Sequence, residues 1–292
     1  MIRIVISLLV ILPLAGEVFG QGALEPSAPP GPVMKTLDQI EPRQPVSAPG
    51  TLDTSGSYYL INDIVGSISI NADDVDLDMN GFRLDGGAGS GIDFSNRNNI
   101  RIHNGTIING DSFGALLATG VGNILVENLR ILDTGLCINM PNPLGTIRLE
   151  RVHCEGTDVE GVRIFTSAAS GVRVIINDSI FRDTDRTNQS RPALNIFNVG
   201  AGPARVTITN NRIYDNPRGG IGLIGGASSS GVVMDNQVFG NGATGIVING
   251  DFVVARNVAQ GNGTNYDLAS APNAAPISSF STPPGPWDNI SE

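Results

Sequence analysis

The stretch Val206-Thr-Ile-Thr-Asn-Asn-Arg-Ile-Tyr-Asp-Asn-Pro-Arg-Gly-Gly-Ile-Gly-Leu-Ile224 reads as one complete repeat. Val206 and Ile208 alternate with polar residues, the period-2 mark of a strand with one buried face. Asn210-Asn211 forms a polar bend. A short strand through Ile213 follows, then a turn at Asp215-Asn216. A third strand, Ile221 to Ile224, starts directly after two glycines.

The rest of the chain copies this unit imperfectly. With the bend as anchor, Met79, Asn104, Asn128, Arg151, Asp178, Asn210, Asn236 and Arg256 fall in register, 20 to 32 residues apart. An apolar-x-apolar pair precedes each anchor, from Val75/Leu77 to Val232/Met234 and Phe252/Val254. Glycine-led strands follow at Gly91, Gly135, Gly161, Gly220 and Gly245. Self-similarity at this period marks a repeat architecture. Three short strands per unit predict an all-β chain folded as a right-handed parallel β-helix. Each coil buries its inward residues against the coils above and below, at roughly 4.8 Å per coil. Asparagine suits the bends, because it tolerates left-handed geometry and bonds nearby backbone. Asn210 and Asn236 are expected to be members of a structural ladder.

Along the chain, Met1–Gly20 reads as a secretory signal: Arg3, an apolar run over 4–14, then Val18-Phe-Gly20 as cleavage pattern. The run is too short to span a membrane. Residues 21–50, rich in Pro, Ala and Ser, are expected to form a flexible leader. Cap strands are expected over 51–71, regular coils over 72–263, and a capping tail with the chain's single Trp over 264–292. The expected location is periplasm or medium.

The net charge is −10, and loss of residues 1–20 removes one Arg and one Glu, so it stays −10. An acidic chain argues against nucleic acid, whose phosphates need clustered cations. The single lysine, Lys35, lies in the leader, so none is available to the coils for catalysis. The only histidines, His103 and His153, fall in different rows, which speaks against a histidine metal site. Opposite charges on the strand before the bend (Asp76, Asp78, Arg101, His103, Glu127, Arg148, Glu150) read as cross-strand pairs. Cys137 is placed in an outward slot level with Asp93, Arg163 and Asn195, and Cys154 in an inward slot. Side chains on opposite faces of a wall do not meet disulfide geometry, so the two are expected to be unbonded.

The repeated pattern apolar-x-apolar-x-Asn-x-x-apolar, polar turn, Gly-Ile-x-apolar resembles the pectin-lyase-like superfamily of right-handed β-helices over Val75–Ala259. The start Ala72-Asp-Asp-Val-Asp-Leu-Asp-Met-Asn-Gly-Phe and the tail Pro-Trp-Asp-Asn-Ile look like those of exported bacterial members. That fold hosts lyases, hydrolases, epimerases, adhesins and proteins without catalytic activity. In its polysaccharide-degrading members the substrate lies outside the glycine-led sheet. The resemblance therefore directs attention to the outward slots Asp93, Leu116, Cys137, Arg163, Asn195, Gly222 and Val247. The turn before that sheet contributes Asp111, Asp133, Asp158 with Glu160, Asp183 with Asp185, and Asp215. Arg163, Arg186, Arg191 and Arg218 lie beside them.

Two readings of this acidic line compete. It is turn chemistry on a soluble surface, or it is a site. As a uronate lyase or epimerase site, Arg163, Asp158, Glu160 and Arg186 would carry catalysis, with Arg163 or Arg186 accepting a proton. Asp133, Asp185, Arg191, Asn195 and Arg218 would bind substrate, and Asp158 and Asp185 would hold Ca²⁺. Thr157-Asp-Val-Glu-Gly-Val is similar to the Asn-Thr-Asp-Gly-Ile strand of polygalacturonases. Two residues separate Asp158 from Gly161, and that family's other motifs are missing, so that hydrolysis is set aside. The expected partner is a polysaccharide and the expected state a monomer. The competing class is a non-catalytic surface or matrix rod.

Overall fold

The computed structural model describes residues 42–111, 113–166, 171–187, 191–198, 202–225, 229–279 and 284–291. The expected signal over 1–20 and the leader up to residue 41 lie outside them.

Among these residues, eighteen strands form one sheet and ten form another, and the pairing along both is parallel. Each coil contributes two segments to the wide sheet and one to the ten-stranded sheet. In one coil these are Val75–Asp78, Arg83–Asp85 and Ile92–Ser95. Equivalent residues stack: Val75 on Ile100, Ile100 on Ile124, Ile124 on Ile147, Ile147 on Val174, Val174 on Val206. These side chains are almost wholly buried and form one continuous apolar interior. Alternation thus places one residue in two inside, and the coil repeat supplies its neighbours.

The bend between the first two segments holds a left-handed residue in eight successive coils: Asn80, Asn104, Asn128, Arg151, Asp178, Asn210, Asp235 and Arg256, with φ between 51° and 60°. Two of the expected anchors are therefore one residue off. Asn80 occupies the bend, and Met79 is buried beside it. Asp235 occupies the bend, and Asn236 is the next residue. The slip at Asp235 carries upstream: Gly231 and Val233 stack on Val206 and Ile208, while the expected inward residues Val232 and Met234 face out. Asn210 is an exposed bend residue whose Nδ2 donates to Asn177 Oδ1 of the preceding coil at 3.3 Å. Asn236 lies in the buried ladder that follows it, where Asn211 donates Nδ2 to Asn236 Oδ1, Asn236 to Asn257 and Asn257 to Asn289, at 2.9–3.0 Å. Each Oδ1 also accepts the previous residue's backbone N–H, as Asn236 does from Asn211 at 3.1 Å. A second buried ladder, Asn216–Asn241–Asn262–Asn265, marks the next corner.

Coils extend beyond the expected limits. Gln44–Val46, inside the expected leader, pairs with Gly56–Leu60. Thr264–Ser270, inside the expected tail, pairs with Thr244–Asn249. Asn289–Ser291 adds a strand to Val258–Gln260 and ends the first ladder. Trp287 stays 58% exposed, with the Arg256 guanidinium 5.1 Å above its ring.

Cys137 and Cys154 are bonded, with Cα atoms 6.2 Å apart, which overturns the expectation of free thiols. The register explains why. Ile138, not Cys137, stacks on Leu116 and Val162, so Cys137 sits at the corner before its strand. That corner slot is filled by Gly91, Ala115, Gly161, Ala193 and Gly220 in other coils, and it faces inward. A Cβ on Gly91 would meet Ile107 at 2.6 Å, and one on Gly161 would meet Phe181 at 3.1 Å. Ile107, Cys154 and Phe181 hold the same inward slot of the following coil. The disulfide therefore replaces a small-residue-to-apolar contact between successive coils.

Candidate functional site

The outer face of the ten-stranded sheet presents Asp93, Leu117, Asn139, Arg163, Asn195, Gly222 and Val247 in one row. Leu117 and Asn139 replace the expected Leu116 and Cys137, both of which are buried. A second outward row lies two residues further along each strand: Pro141, Phe165, Phe197 and Ile224.

Two adjoining clefts run along these rows. One, of about 300 Å³, is lined by Asn139, Pro141, Arg163, Phe165, Arg191 and Phe197. The next, of about 240 Å³, begins at Pro192 and Asn195 and runs over Arg218, Gly222 and Ile224 to Val247. From the Asn139 strand to the Val247 strand is four coil steps, roughly 19 Å.

Glu160 organises the centre. Its side chain is 0% exposed. Arg163 donates Nε to its Oε1 at 3.1 Å and Nη2 to its Oε2 at 2.5 Å. Asn195 Nδ2 donates to Oε1 at 3.0 Å, and Arg191 Nε lies 3.6 Å from the same atom. A buried carboxylate needs such partners, since an unpaired charge in the interior is costly. One carboxylate thereby fixes two guanidiniums at the cleft rim. Arg218 stacks one coil beyond Arg191, because Gly219 packs on Pro192. Among the described residues lining both clefts there are three arginines and no Asp or Glu. Two lining atoms, Asn139 Oδ1 and Arg218 Nε, are buried without a hydrogen-bond partner, while Asn139 Nδ2 donates to Phe113 O at 2.7 Å.

The structure thus brings together Arg163, Glu160, Arg191, Asn195 and, one coil on, Arg218. It places the remaining expected site residues elsewhere. Arg186 donates Nε and Nη2 to Asp183 Oδ2, at 2.9 and 2.7 Å, and Nη1 to Asp133 Oδ1 at 3.4 Å. These contacts, Asp183 first, raise its pKa above the usual arginine value. Asp133, Asp183 and Asp215 are left-handed corner residues, with φ of 50–55°. In other coils Asn109, Gly156 and Gly240 fill the same corner with the same sign of φ. Only residues that accept this backbone occur there, so turn chemistry accounts for these acids. Asp111 Oδ1 accepts from the N–H of Phe113 and Gly114, at 3.0 and 3.2 Å, and closes its own turn.

Asp158 is exposed, and its carbonyl accepts the Thr187 N–H at 3.1 Å. Asp185 is fully buried, and its Oδ2 accepts the Arg191 N–H at 3.2 Å. Among the described residues no three His, Cys, Asp or Glu side chains gather where a metal ion would sit. On the wide sheet Arg101 pairs across strands with Glu127 and Asp76, and His103 Nε2 lies 2.8 Å from Asp76 Oδ1, as expected, whereas Arg148 holds Glu150 two residues along its own strand.

The Phe165–Phe197 stripe escaped the sequence reading, although alternation two residues past Arg163 and Asn195 carries its signal.

Among the described residues no helix is long and apolar enough to cross a membrane. No curated protein and no solved structure matches the chain significantly. Residues 150–274, which include Glu160, Arg163, Arg191, Asn195 and Arg218, match the family model described as right handed beta helix region. With the parallel stacking of coils on both sides of that segment, the chain is a right-handed parallel β-helix protein, an architecture consistent with the pectin-lyase-like superfamily.

Proposed function

We propose that this protein is exported and binds an acidic polysaccharide along the outer face of the ten-stranded sheet. The observation that carries the reading is the lining of the clefts: three guanidiniums and no carboxylate, on a chain of net charge −10. A cationic strip on an acidic molecule concentrates anions locally. Arg191 and Arg218 repeat at the coil spacing, so a regularly repeating anion is the natural partner. A uronate polymer has that form, and a planar carboxylate suits the guanidinium fork. Export is supported by the charge and apolarity of residues 1–20, and the Cys137–Cys154 bond suits an oxidising compartment.

Lyase or epimerase chemistry needs a group that takes the proton beside the uronate carboxylate. Arg163 faces the cleft, yet its Nε and Nη2 are committed to Glu160. That geometry supports holding a carboxylate more directly than removing a proton. The test is affinity electrophoresis of the purified protein through gels containing pectate, alginate or a neutral glucan, with and without Ca²⁺. Near-ultraviolet absorbance of unsaturated products is followed in parallel. Retardation by an acidic glycan, weakened by salt, is expected. Free migration through every acidic glycan defeats the proposal.

A further inference from the structure

The arginines account for one side of the groove only. The row Pro141, Phe165, Phe197, Ile224 runs parallel to the polar row Asn139, Arg163, Asn195, Gly222, in register on the same strands. At roughly 3.3 Å per residue the two rows lie about 7 Å apart. The Phe165 and Phe197 rings touch, with centroids 4.8 Å apart, and Ile224 is 54% exposed. A continuous apolar row in the wall of a binding cleft marks contact with apolar groups of the ligand. A uronate ring lying across the two rows can rest a C–H face on the aromatic rings, but its edges carry only hydroxyls and carboxylates, and acetyl groups on the hydroxyls remote from the arginines would cover the whole apolar row.

Resting on the acidic-glycan reading, we infer that the ligand is an O-acetylated acidic polysaccharide. Its carboxylates face Arg191 and Arg218, and its acetyl methyl groups cover Phe165, Phe197 and Ile224. Charge complementarity selects the polymer, and the apolar row selects its decoration. Acetylation leaves the carboxylates intact, so both sides of the groove are satisfied by one chain.

The experiment uses alginate and polygalacturonate, each chemically O-acetylated, and the same samples after mild alkaline deacetylation. Binding is measured by calorimetry at fixed salt. Burying two acetyl methyls is expected to tighten binding by about tenfold for the acetylated form. The double variant Phe165→Ala/Phe197→Ala should abolish that preference, so that the acetylated polymer binds no more tightly than the deacetylated one. Equal affinity for both forms overturns the inference and leaves the acidic-glycan reading in place. Equal losses for both forms in the double variant also overturn it, because the rings would then be stacking on the sugar itself. Binding to neither form sinks the acidic-glycan reading as well.

Discussion

Cys137 and Cys154 lie 17 residues apart in sequence and face each other across the solenoid interior, one on each of two successive coils. Closing a loop of this length removes denatured-state entropy worth about 3 kcal/mol. Cys137→Ser/Cys154→Ser should lower the melting temperature by several degrees. Cys137→Gly/Cys154→Ile restores the pairing that Gly91 makes with Ile107 elsewhere and should recover part of the loss. Thermal unfolding of the three proteins under non-reducing conditions decides the point. Equal melting temperatures for the two double variants would show that the corner slot is not read correctly.

The same corner explains which part of the fold was legible in the sequence. Apolar alternation located the coils, because one inward residue in two is a direct consequence of strand geometry. Strand starts were less legible. The slot before the third strand demands a small inward residue, and glycine is only one solution. Ala115 and Cys137 fill it in their coils, so strands anchored on Gly114 or Gly135 are read one or two residues early. At Leu116 the one-residue slip exchanges the two faces. In the next coil the slip is two residues: it hid Asn139 and gave the corner residue Cys137 an outward strand slot, which made the disulfide look impossible. Of the site, the cluster around Glu160 was legible because a carboxylate three residues before an outward arginine stood next to an inserted loop. Arg186 and Asp185 belong to the inserted loop, whose sequence does not reveal which way its side chains point: Arg186 turns to Asp183, and Asp185 is buried against the Arg191 N–H.

The two kinds of asparagine should behave differently. Asn236 is buried and makes contacts on both sides of the ladder, including Nδ2 to Ile208 O at 2.9 Å. Asn236→Ala leaves buried groups unpaired, each costing about 1–3 kcal/mol. Asn210 is exposed and serves its left-handed backbone, φ 58°. Asn210→Gly should be close to neutral, since glycine takes that conformation freely. Denaturant unfolding midpoints for both variants provide the check, and a larger loss from Asn210→Gly would contradict the assignment.

Acidification should destabilise the protein in two steps. Burial pushes the His153 imidazole below its ordinary pKa, against a smaller opposing pull from Glu155 and with help from Arg130 and Arg182. The unfolded chain therefore takes up this proton first. The associated stability is complete above the unfolded histidine pKa, near 6.5, and is lost as the pH falls from there toward the lower folded value. Glu155 is held below its ordinary pKa chiefly by the hydrogen bond from Arg182. Its contribution is present above the unfolded carboxylate pKa and disappears as the pH falls through the folded one. Melting temperatures should decline from pH 7 to pH 4, and His153→Gln should flatten the upper part of that decline. A wild-type profile flat across this range would count against both assignments.

Glu160 and Asp183 each hold arginine, and comparing them separates site from scaffold. Arg163→Ala removes a guanidinium from the cleft wall, whereas Arg186→Ala breaks an exposed pairing with Asp183 and Asp133 on a different corner. Exposed pairs contribute little stability, about 0–1 kcal/mol, so Arg186→Ala should leave folding and acidic-glycan retention nearly unchanged. Arg163→Ala should weaken retention by about tenfold, the usual loss for one charge-assisted hydrogen bond. Glu160→Ala should do more: it leaves Arg163, Arg191 and Asn195 without their shared acceptor and costs about 3 kcal/mol of folding stability. Glu160→Gln keeps the volume and one acceptor, so it should fold better than Glu160→Ala while still misplacing the two guanidiniums. Calorimetric binding at two salt concentrations, with melting temperature as control, reads all four variants. Retention that survives Arg163→Ala and fails in Arg186→Ala would move the site from the sheet face to the acidic corner.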